Sequence, residues 1–442
     1  MPNNKNLIPQ DYESPRWSAE LCDCSMPMTF DTYSSCSFNC LYCFSFNQKS
    51  HSSKMYLQRQ VKSASPRKVA TLLEHSLNDE PEKLAKYNQQ FYNYVRNKTV
   101  MQWGGLADAF DGFEKRYGTS LEFMKIFDKY DYPLSFSTKG TWFVNDKRYF
   151  DIIKRHAHNW HFKISIITSD SMKAKAIERG VASPKERFEV IKKLSDAGIK
   201  VTLRLRPYIV GISDDYKETI TRASQAGADS VTTEFFCLET RADERLKSKY
   251  KEMSKWAGVD LWDFYKENSK GSGYRRLNYQ FKRPIIEDMR NIAHSLGMRF
   301  YVSDAHHKEK CDFTSCCGVP PEWNVSQGQF TEALIVARNR EDGLVYWKDI
   351  EKDLRNIAFD VKFYNAQGFN TNSNKVRAQR YTQTLYEYVK EIWNTPKNHK
   401  SPYSYFEGVL YPVGVDDDNN VIYKINRQKC GLYYDSNSQY KT

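Results

Sequence analysis

The sequence predicts an α/β protein: a partial or full parallel β/α barrel followed by a small C-terminal α+β domain. Three observations carry that expectation. Between about residues 98 and 303, short β-branched or aromatic runs alternate with helical patterns, which is how βαβ units read in a sequence. The units number six or seven, enough for a barrel wound in one direction, with ligands at the C-terminal ends of its strands. A loop carrying three cysteines directly follows the first candidate strand, where that geometry puts a site. A doubly wound sheet is the alternative arrangement of the same elements.

Taken in order, the candidate strands are 28–32, 99–103, 133–137, 162–168, 200–206, 230–236 and 298–303. The segment 44–97 reads as a polar, mostly helical insertion before the second strand. The clearest helix spans 184–197, where Ser183 can cap, Pro184 suits the first turn, and Phe188, Val190, Ile191 and Leu194 form an apolar stripe that stops at Gly198. Residues 1–26 read as an N-terminal extension, 27–310 as the barrel core and 311–442 as a separate cysteine-containing domain. The last contains an amphipathic stretch near 376–394 and a hairpin turning at Asp417–Asn420.

Composition narrows the function classes. The chain has 442 residues, 40% of them hydrophobic and 14% aromatic, which excludes wholesale disorder. No apolar stretch approaches 18 residues and the first twenty residues lack a signal-like apolar core, so the expectation is a cytoplasmic protein with no membrane partner. Lys and Arg total 66 against 54 Asp and Glu, a net charge of +12 that favours polyanionic partners. Of the ten cysteines, eight fall in three groups, 22/24, 36/40/43 and 311/316/317, with Cys430 near the C-terminal end, a grouping that suggests metal ligation rather than disulfides.

The strongest local signal is Cys36-Ser-Phe-Asn-Cys40-Leu-Tyr-Cys43. Three thiolates can hold three irons of a [4Fe-4S] cube and leave the fourth open, whereas a structural zinc site needs a fourth ligand. This spacing, with Tyr42 before the last cysteine, resembles the defining motif of the radical S-adenosylmethionine (SAM) superfamily. The resemblance implies a [4Fe-4S] cluster whose open iron is chelated by SAM, reductive cleavage of SAM to a 5′-deoxyadenosyl radical, and an electron donor such as flavodoxin or ferredoxin. It extends to Trp103-Gly104-Gly105-Leu106-Ala107-Asp108, which lies where the family has its glycine-rich SAM motif. Ser137-Thr138-Lys139-Gly140, Ser165, Ala176-Ile177-Glu178-Arg179 and Arg204-Leu205-Arg206-Pro207 follow in an order similar to the branch containing spore photoproduct lyase. Gly104, Gly105, Lys139, Ser165, Glu178 and Arg204 are then candidate SAM contacts.

On the strand at 200–206, Thr202, Arg204 and Arg206 alternate with Val201, Leu203 and Leu205, so one face carries two guanidinium groups that need an anion. A SAM carboxylate or a substrate phosphate would serve, as would an ion pair with Glu178 or Glu234. Arg206 is accordingly a candidate substrate contact. Residues 241–283 hold twelve Lys or Arg against six Asp or Glu, interleaved with Tyr250, Trp256, Trp262, Phe264, Tyr265, Tyr274, Tyr279 and Phe281. Basic groups beside aromatic platforms suit nucleic acid, and a solvated helix with its aromatics in the core would read the same way.

The expectation is therefore an enzyme that modifies or repairs nucleic acid. The lyase family's hydrogen-returning cysteine, in the segment matching Trp103–Asp108, has no counterpart here, and Cys237 is the candidate substitute. Cys311, Cys316, Cys317 and Cys430 are candidate ligands of a second iron–sulfur cluster or a zinc ion, which Cys22 and Cys24 could complete. Two rivals remain: a radical SAM enzyme modifying a peptide or protein side chain with an auxiliary cluster, and a non-catalytic zinc protein that binds nucleic acid.

Overall fold

Along every central strand, apolar and polar side chains alternate, and this sorts the sheet into an oily face and a polar one. In a computed structural model, the described residues are 8–18, 23–45, 60–240, 242, 244–269, 274–325, 330–354 and 385–430. Strands β1 (Arg16–Trp17), β2 (Met28–Phe30), β3 (Met101–Trp103), β4 (Leu134–Thr138), β5 (Trp160–Ser165), β6 (Lys200–Tyr208) and β7 (Ser230–Phe235) lie side by side in sequence order. The eighth member, β10 (Arg299–Val302), adds next to β7 after a short antiparallel pair, β8 (Leu238–Glu239) and β9 (Tyr274–Arg275), whose strands are separated by two helices. Only the β1–β2 contact is antiparallel; the other neighbours are parallel.

An order that never reverses means winding in one direction, so the fold is a partial parallel β/α barrel and the doubly wound alternative is excluded. The strands end within a few residues of their expected bounds. The expected helix is present over Pro184–Asp196, and its capping box closes as its residues allow: the Ser183 hydroxyl accepts from Glu186 N–H while Glu186 reaches back to Ser183 N–H. One difference concerns the polar segment before the second strand. Its helix Pro66–Leu77 packs against Tyr92–Arg96 and Thr119–Lys129 and serves as the crossover between β2 and β3, while 46–59 lie outside the described residues.

The oily face is an aromatic ladder running across the strands. Trp103 stacks on Phe136 at 5.0 Å and Phe136 on Phe162 at 4.5 Å, with Phe30 edge-on to both Trp103 and Phe123 of the covering helix. The opposite, inner face carries Ser135, Ser137, His161, Lys163, Ser165, Thr202, Arg204, Arg206, Ser230, Thr232 and Glu234 by the same alternation. Its lower part is hydrogen-bonded from strand to strand: Ser135 to His161 at 2.9 Å, His161 to Thr202 at 2.7 Å and Thr202 to Ser230 at 2.7 Å.

This polar face is filled by the chain that follows β10. The Thr232 hydroxyl donates to the Cys316 carbonyl at 2.7 Å, Thr202 to the Gly318 carbonyl at 3.3 Å, and the backbone of Val100 to Asn324 at 2.8 Å. Gly318 is required twice over: its φ is +75° and a Cβ there would stand 2.5 Å from Thr202 Oγ1. Beyond it, helices Phe330–Asn339, Trp347–Leu354 and Leu385–Trp393 pack on a small sheet ordered β11 (Leu344–Val345), β13 (Val421–Ile425), β12 (Leu410–Val415). The β12–β13 hairpin turns at the expected place, with Asp416 accepting from Asp418 and Asn420 N–H. Of the expected amphipathic stretch, 376–384 lie outside the described residues. Among the described residues no helix is long and apolar enough to cross a membrane.

Candidate metal centre and active site

The three-cysteine loop leaves the C-terminal end of β2 and is tied down on both sides. On one side, Ser37 N–H donates to Asp111, and Gly112 N–H donates to the Ser37 hydroxyl at 2.8 Å. On the other, Leu41 N–H donates to the Ile177 carbonyl at 3.0 Å and Gly180 N–H to the Phe38 carbonyl at 3.0 Å. Side chains larger than hydrogen are excluded at Gly180, where a Cβ would come within 2.8 Å of that same carbonyl.

Behind the loop lies a buried charge network. The Tyr42 hydroxyl donates to Glu178, and Glu178 pairs with Arg187 at 2.7 Å, both charged side chains being essentially inaccessible to water. Arg187 also donates to the Ser165 carbonyl at 2.7 Å, which links the loop to the end of β5. Glu178 thus props Tyr42 from behind instead of opening toward a ligand. In the sequence Arg187 stands only within the run Ser183-Pro184-Lys185-Glu186-Arg187 at the start of its helix, with nothing local to mark its side chain as buried.

Burial pushes the Cys36 thiol well above its ordinary value, helped by Asp111 and Asp108, and pushes Cys40 up to about 12 against the opposing pull of Lys139. As thiols they are neutral in the protein alone, so metal binding must displace their protons. Lys139 is placed to offset the resulting charge, near Cys40 and with its ammonium 5.7 Å from the Tyr42 ring centre. Three thiols on one pinned loop, beside a cation, fit a cluster with one iron left open.

The neighbouring strand ends are organised by two aspartates. Asp31 pairs with Arg16 at 2.7 Å and accepts from Leu106 and Ala107 N–H at 2.8 and 2.9 Å, fixing the turn after Gly104 and Gly105. Gly104 has φ +92° and lies so close to β4 that a Cβ would stand 2.5 Å from the Ser137 carbonyl. Asp108 accepts from Thr138 at 2.7 Å and Lys139 N–H at 2.7 Å, setting the conformation that carries Lys139. The Ser137 hydroxyl, almost fully buried, has no hydrogen-bond partner.

Further across the mouth, Arg204 makes one long contact to Ser165 at 3.4 Å, and burial with Arg206 alongside lowers it to about 10. Arg206 forms an ion pair with Glu234, the structural alternative weighed for it. Burial brings the Lys163 ammonium down to about 8, and among the described residues it has no hydrogen-bond partner. Cys237 is half-buried just past β7, its thiol 3.7 Å from the Phe235 carbonyl and pushed up to about 12 by burial and Glu234. A thiol that stays protonated still carries its hydrogen.

The second cysteine group is scattered. Cys311 is spent on β10, accepting from Val302 N–H at 3.2 Å and donating to its carbonyl at 3.3 Å. Cys430 lies beside Glu309 and Lys310, while Cys316 and Cys317 are both buried, the Cys316 carbonyl resting on Thr232 of the inner face. Among the described residues no three of these sulfurs lie close enough to share a single ion. The trio that does meet this spacing is Asp131, His156 and His158, at the opposite strand ends, where both His156 nitrogens already hydrogen-bond to Asn159 and Asp128. Cys22 lies outside the described residues.

The aromatics of 241–283 resolve toward packing. Tyr250 and Tyr265 pack edge-on to Phe236, each at 5.8 Å, and Phe264 packs on Phe281 at 5.3 Å. Tyr250, Tyr265 and Tyr279 are buried in the core, and Trp256, Trp262, Phe264 and Phe281 are half-buried against it. Arg245, Lys251, Lys255, Lys266 and Arg276 stay exposed, and two buried nitrogens of Arg275 have no hydrogen-bond partner among the described residues. Arg241, Asp243 and 270–273 lie outside the described residues.

No protein-family model matches the chain, and no curated protein does. Among solved structures, it is similar to a spore photoproduct lyase variant with bound AdoMet and dinucleoside spore photoproduct, at 17% identity over 65% of this chain and 78% of that one, with a TM-score of 0.45. It is also similar to a spore photoproduct lyase complexed with dinucleoside spore photoproduct, at 16% identity over 66% and 80%, TM-score 0.45. A third similar structure is Streptococcus suis SuiB bound to precursor peptide SuiA, at 12% identity over 64% and 50%, TM-score 0.38.

Proposed function

We propose that this chain is a radical SAM enzyme that modifies or repairs nucleic acid. The carrying observation is the pinned loop of Cys36, Cys40 and Cys43 at the C-terminal mouth of a one-way parallel sheet, with Lys139 beside it. When bound there, a [4Fe-4S] cluster with SAM supplies a carbon radical that removes hydrogen from a substrate.

The protein's own residues do the rest. Tyr42, Glu178 and Arg187 hold the loop in place, while Asp31 and Asp108 fix the turns at Gly104–Gly105 and at Lys139 against which SAM would lie. Ser137, without a hydrogen-bond partner among the described residues, and Arg204, with one long contact, offer hydrogen-bonding groups on the same inner face. Cys237, kept as a thiol, stands at the far rim with a hydrogen to return. Arg275 and the exposed lysines around the rim support an anionic polymer as substrate through phosphate contacts, which position a chain without reading its sequence.

The deciding assay measures 5′-deoxyadenosine from reduced, iron-loaded protein given SAM alone or with DNA, transfer RNA or cell peptides. Stimulation by one nucleic-acid pool is expected; stimulation by peptides alone would move the substrate to the side-chain class. Absence of deoxyadenosine from a loaded cluster would refute the radical chemistry.

A further inference from the structure

The base of the barrel, opposite the mouth, carries a cluster of its own. Helices Thr119–Lys129 and Lys147–Arg155 pack on each other and end together there, just ahead of β4 and β5. The last carbonyls of a helix carry partial negative charge, so two C-terminal ends side by side favour a cation. Beyond the first helix, Asp131 sits in a tight turn at φ +45°, its N–H donating to the Asp128 carbonyl at 3.1 Å. Beyond the second, the His156 carbonyl accepts from Asn159 and Trp160 N–H at 3.1 and 2.8 Å, which folds His156, His158 and Asn159 into one turn.

Side chains from the two turns meet. Asp131 Oδ1 lies 3.3 Å from His156 Nδ1 and 2.9 Å from His158 Nε2, and one ligand atom from each residue lies within 4.8 Å of the other two. His156 is held fast: its ring stacks on Trp160 at 4.2 Å and its side chain is 4% exposed. Both of its nitrogens meet oxygen. Nε2 faces Asp128 Oδ1 at 2.8 Å, while Nδ1 faces Asn159 Oδ1 at 3.0 Å as well as Asp131. The Asn159 amide is fixed in that orientation, because its nitrogen donates to the Asp131 carboxylate at 2.7 Å and the Asp131 carbonyl at 3.3 Å. With the single proton of a neutral imidazole on Nε2 toward Asp128, Nδ1 directs a lone pair at two oxygens. A cation among them removes that conflict, and a carboxylate behind the far nitrogen is how metal-binding histidines are oriented.

We propose that Asp131, His156 and His158 bind a divalent ion of the zinc class at the base of the barrel. Imidazole and carboxylate together suit zinc, cobalt or nickel, whereas calcium and magnesium take all-oxygen shells. Zinc bonds of about 2.0–2.2 Å set ligand atoms roughly 3.3–3.6 Å apart in a tetrahedron. The Asp131–His156 separation already matches, and His158, 59% exposed, needs only a small swing away from Asp131. Any proton held between His158 and Asp131 leaves to solvent on binding, and water fills the coordination position that faces out. The ion ties the turn before β4 to the turn before β5, at the end of a β/α barrel where stability, not chemistry, is built. The site lies at the opposite strand ends from the Cys36–Cys43 loop and does not depend on SAM chemistry.

The test is titration of the iron-loaded chain, without oxygen, with cobalt(II) followed by absorption and with zinc(II) followed by thermal unfolding. It compares the parent with His158→Ala and with Asp131→Asn, which keeps a residue suited to the left-handed turn. A single cobalt per chain is expected, with visible bands of nitrogen and oxygen ligation and without the near-ultraviolet thiolate band. Each variant should weaken cobalt binding at least about tenfold. Zinc should raise the melting temperature of the parent and leave that of His158→Ala unchanged. A Cys36→Ala/Cys40→Ala/Cys43→Ala chain should give the same cobalt spectrum, which frees the result from the state of the mouth loop. Failure of the parent to bind cobalt, equal affinity in the parent and His158→Ala, or loss of the cobalt spectrum with the mouth cysteines would overturn the proposal.

Discussion

Removing the Glu178 carboxylate should damage both the stability of the barrel and the metal site. The Glu178 and Arg187 side chains are 1% and 0% exposed. Glu178→Ala therefore strands a guanidinium in the interior with only the Ser165 carbonyl for company. Breaking a buried pair from one side costs about 3–5 kcal/mol, and the orphaned Tyr42 hydroxyl adds about 1–3 kcal/mol. For a large domain this corresponds to a melting-point loss on the order of 10 °C.

The double variant Glu178→Ala/Arg187→Met leaves no buried charge, so it should recover most of the charge component while keeping the Tyr42 defect. Thermal unfolding of the parent, both single variants and the double variant closes the cycle, with a coupling of about 3 kcal/mol expected. Iron content after reconstitution supplies a second readout, because Tyr42 immediately precedes Cys43. A single-variant loss below about 1 kcal/mol, or additive single losses, would refute the idea that this network carries the loop.

Other outcomes can be checked with less. Cys40→Ala should lose the mouth cluster and all SAM cleavage, measured as deoxyadenosine formed. Gly318→Ala places a Cβ against Thr202 at positive φ and should lower stability by about 1–3 kcal/mol in a urea melt. Glu309 is buried without a hydrogen-bond partner and its carboxyl is raised to about 7. A raised carboxyl favours the folded state below the unfolded value and loses that advantage as pH rises toward 7. Glu309→Gln should therefore flatten the fall in stability between about pH 4.5 and 7 and add about 1–3 kcal/mol at pH 8. Replacing Arg275 and Arg276 with Ala should weaken nucleic-acid binding and reduce its salt dependence, read by titration at several salt concentrations.

What the sequence displayed clearly was local. Periodicity and capping chemistry sit within one element, so Ser183, Pro184 and Gly198 mark their helix, and the thiols of the mouth loop lie within eight residues of one another. What it hid was long-range pairing. Tyr42 meets Glu178 across 136 positions, and nothing local to Arg187 announces that its side chain turns inward. In the second cysteine group, neighbours in sequence find different partners: Cys311 bonds to the Val302 backbone, whereas the Cys316 carbonyl rests on Thr232. The aromatics of 241–283 show a further limit: a helix needs an oily side to pack, and that need writes the same pattern as a row of stacking platforms.

The stretch that fills the polar face has a consequence for how the molecule is made. Asn324 touches Asn97 across 227 positions, and Cys316 touches Thr232 across 84. The inner hydroxyls of β4 to β7 therefore lack their filling until residues 315–325 have been synthesised, although the last central strand ends at Val302. A ribosome-bound chain stopped near residue 303 would own every strand of the sheet and still face water across its middle. Release of the next twenty or so residues, not completion of the last strand, should be the moment at which a nascent chain becomes resistant to protease. Contacts this distant in sequence are slow to close, so the same feature predicts sluggish refolding and a need for chaperone shelter while the interior waits for its filling.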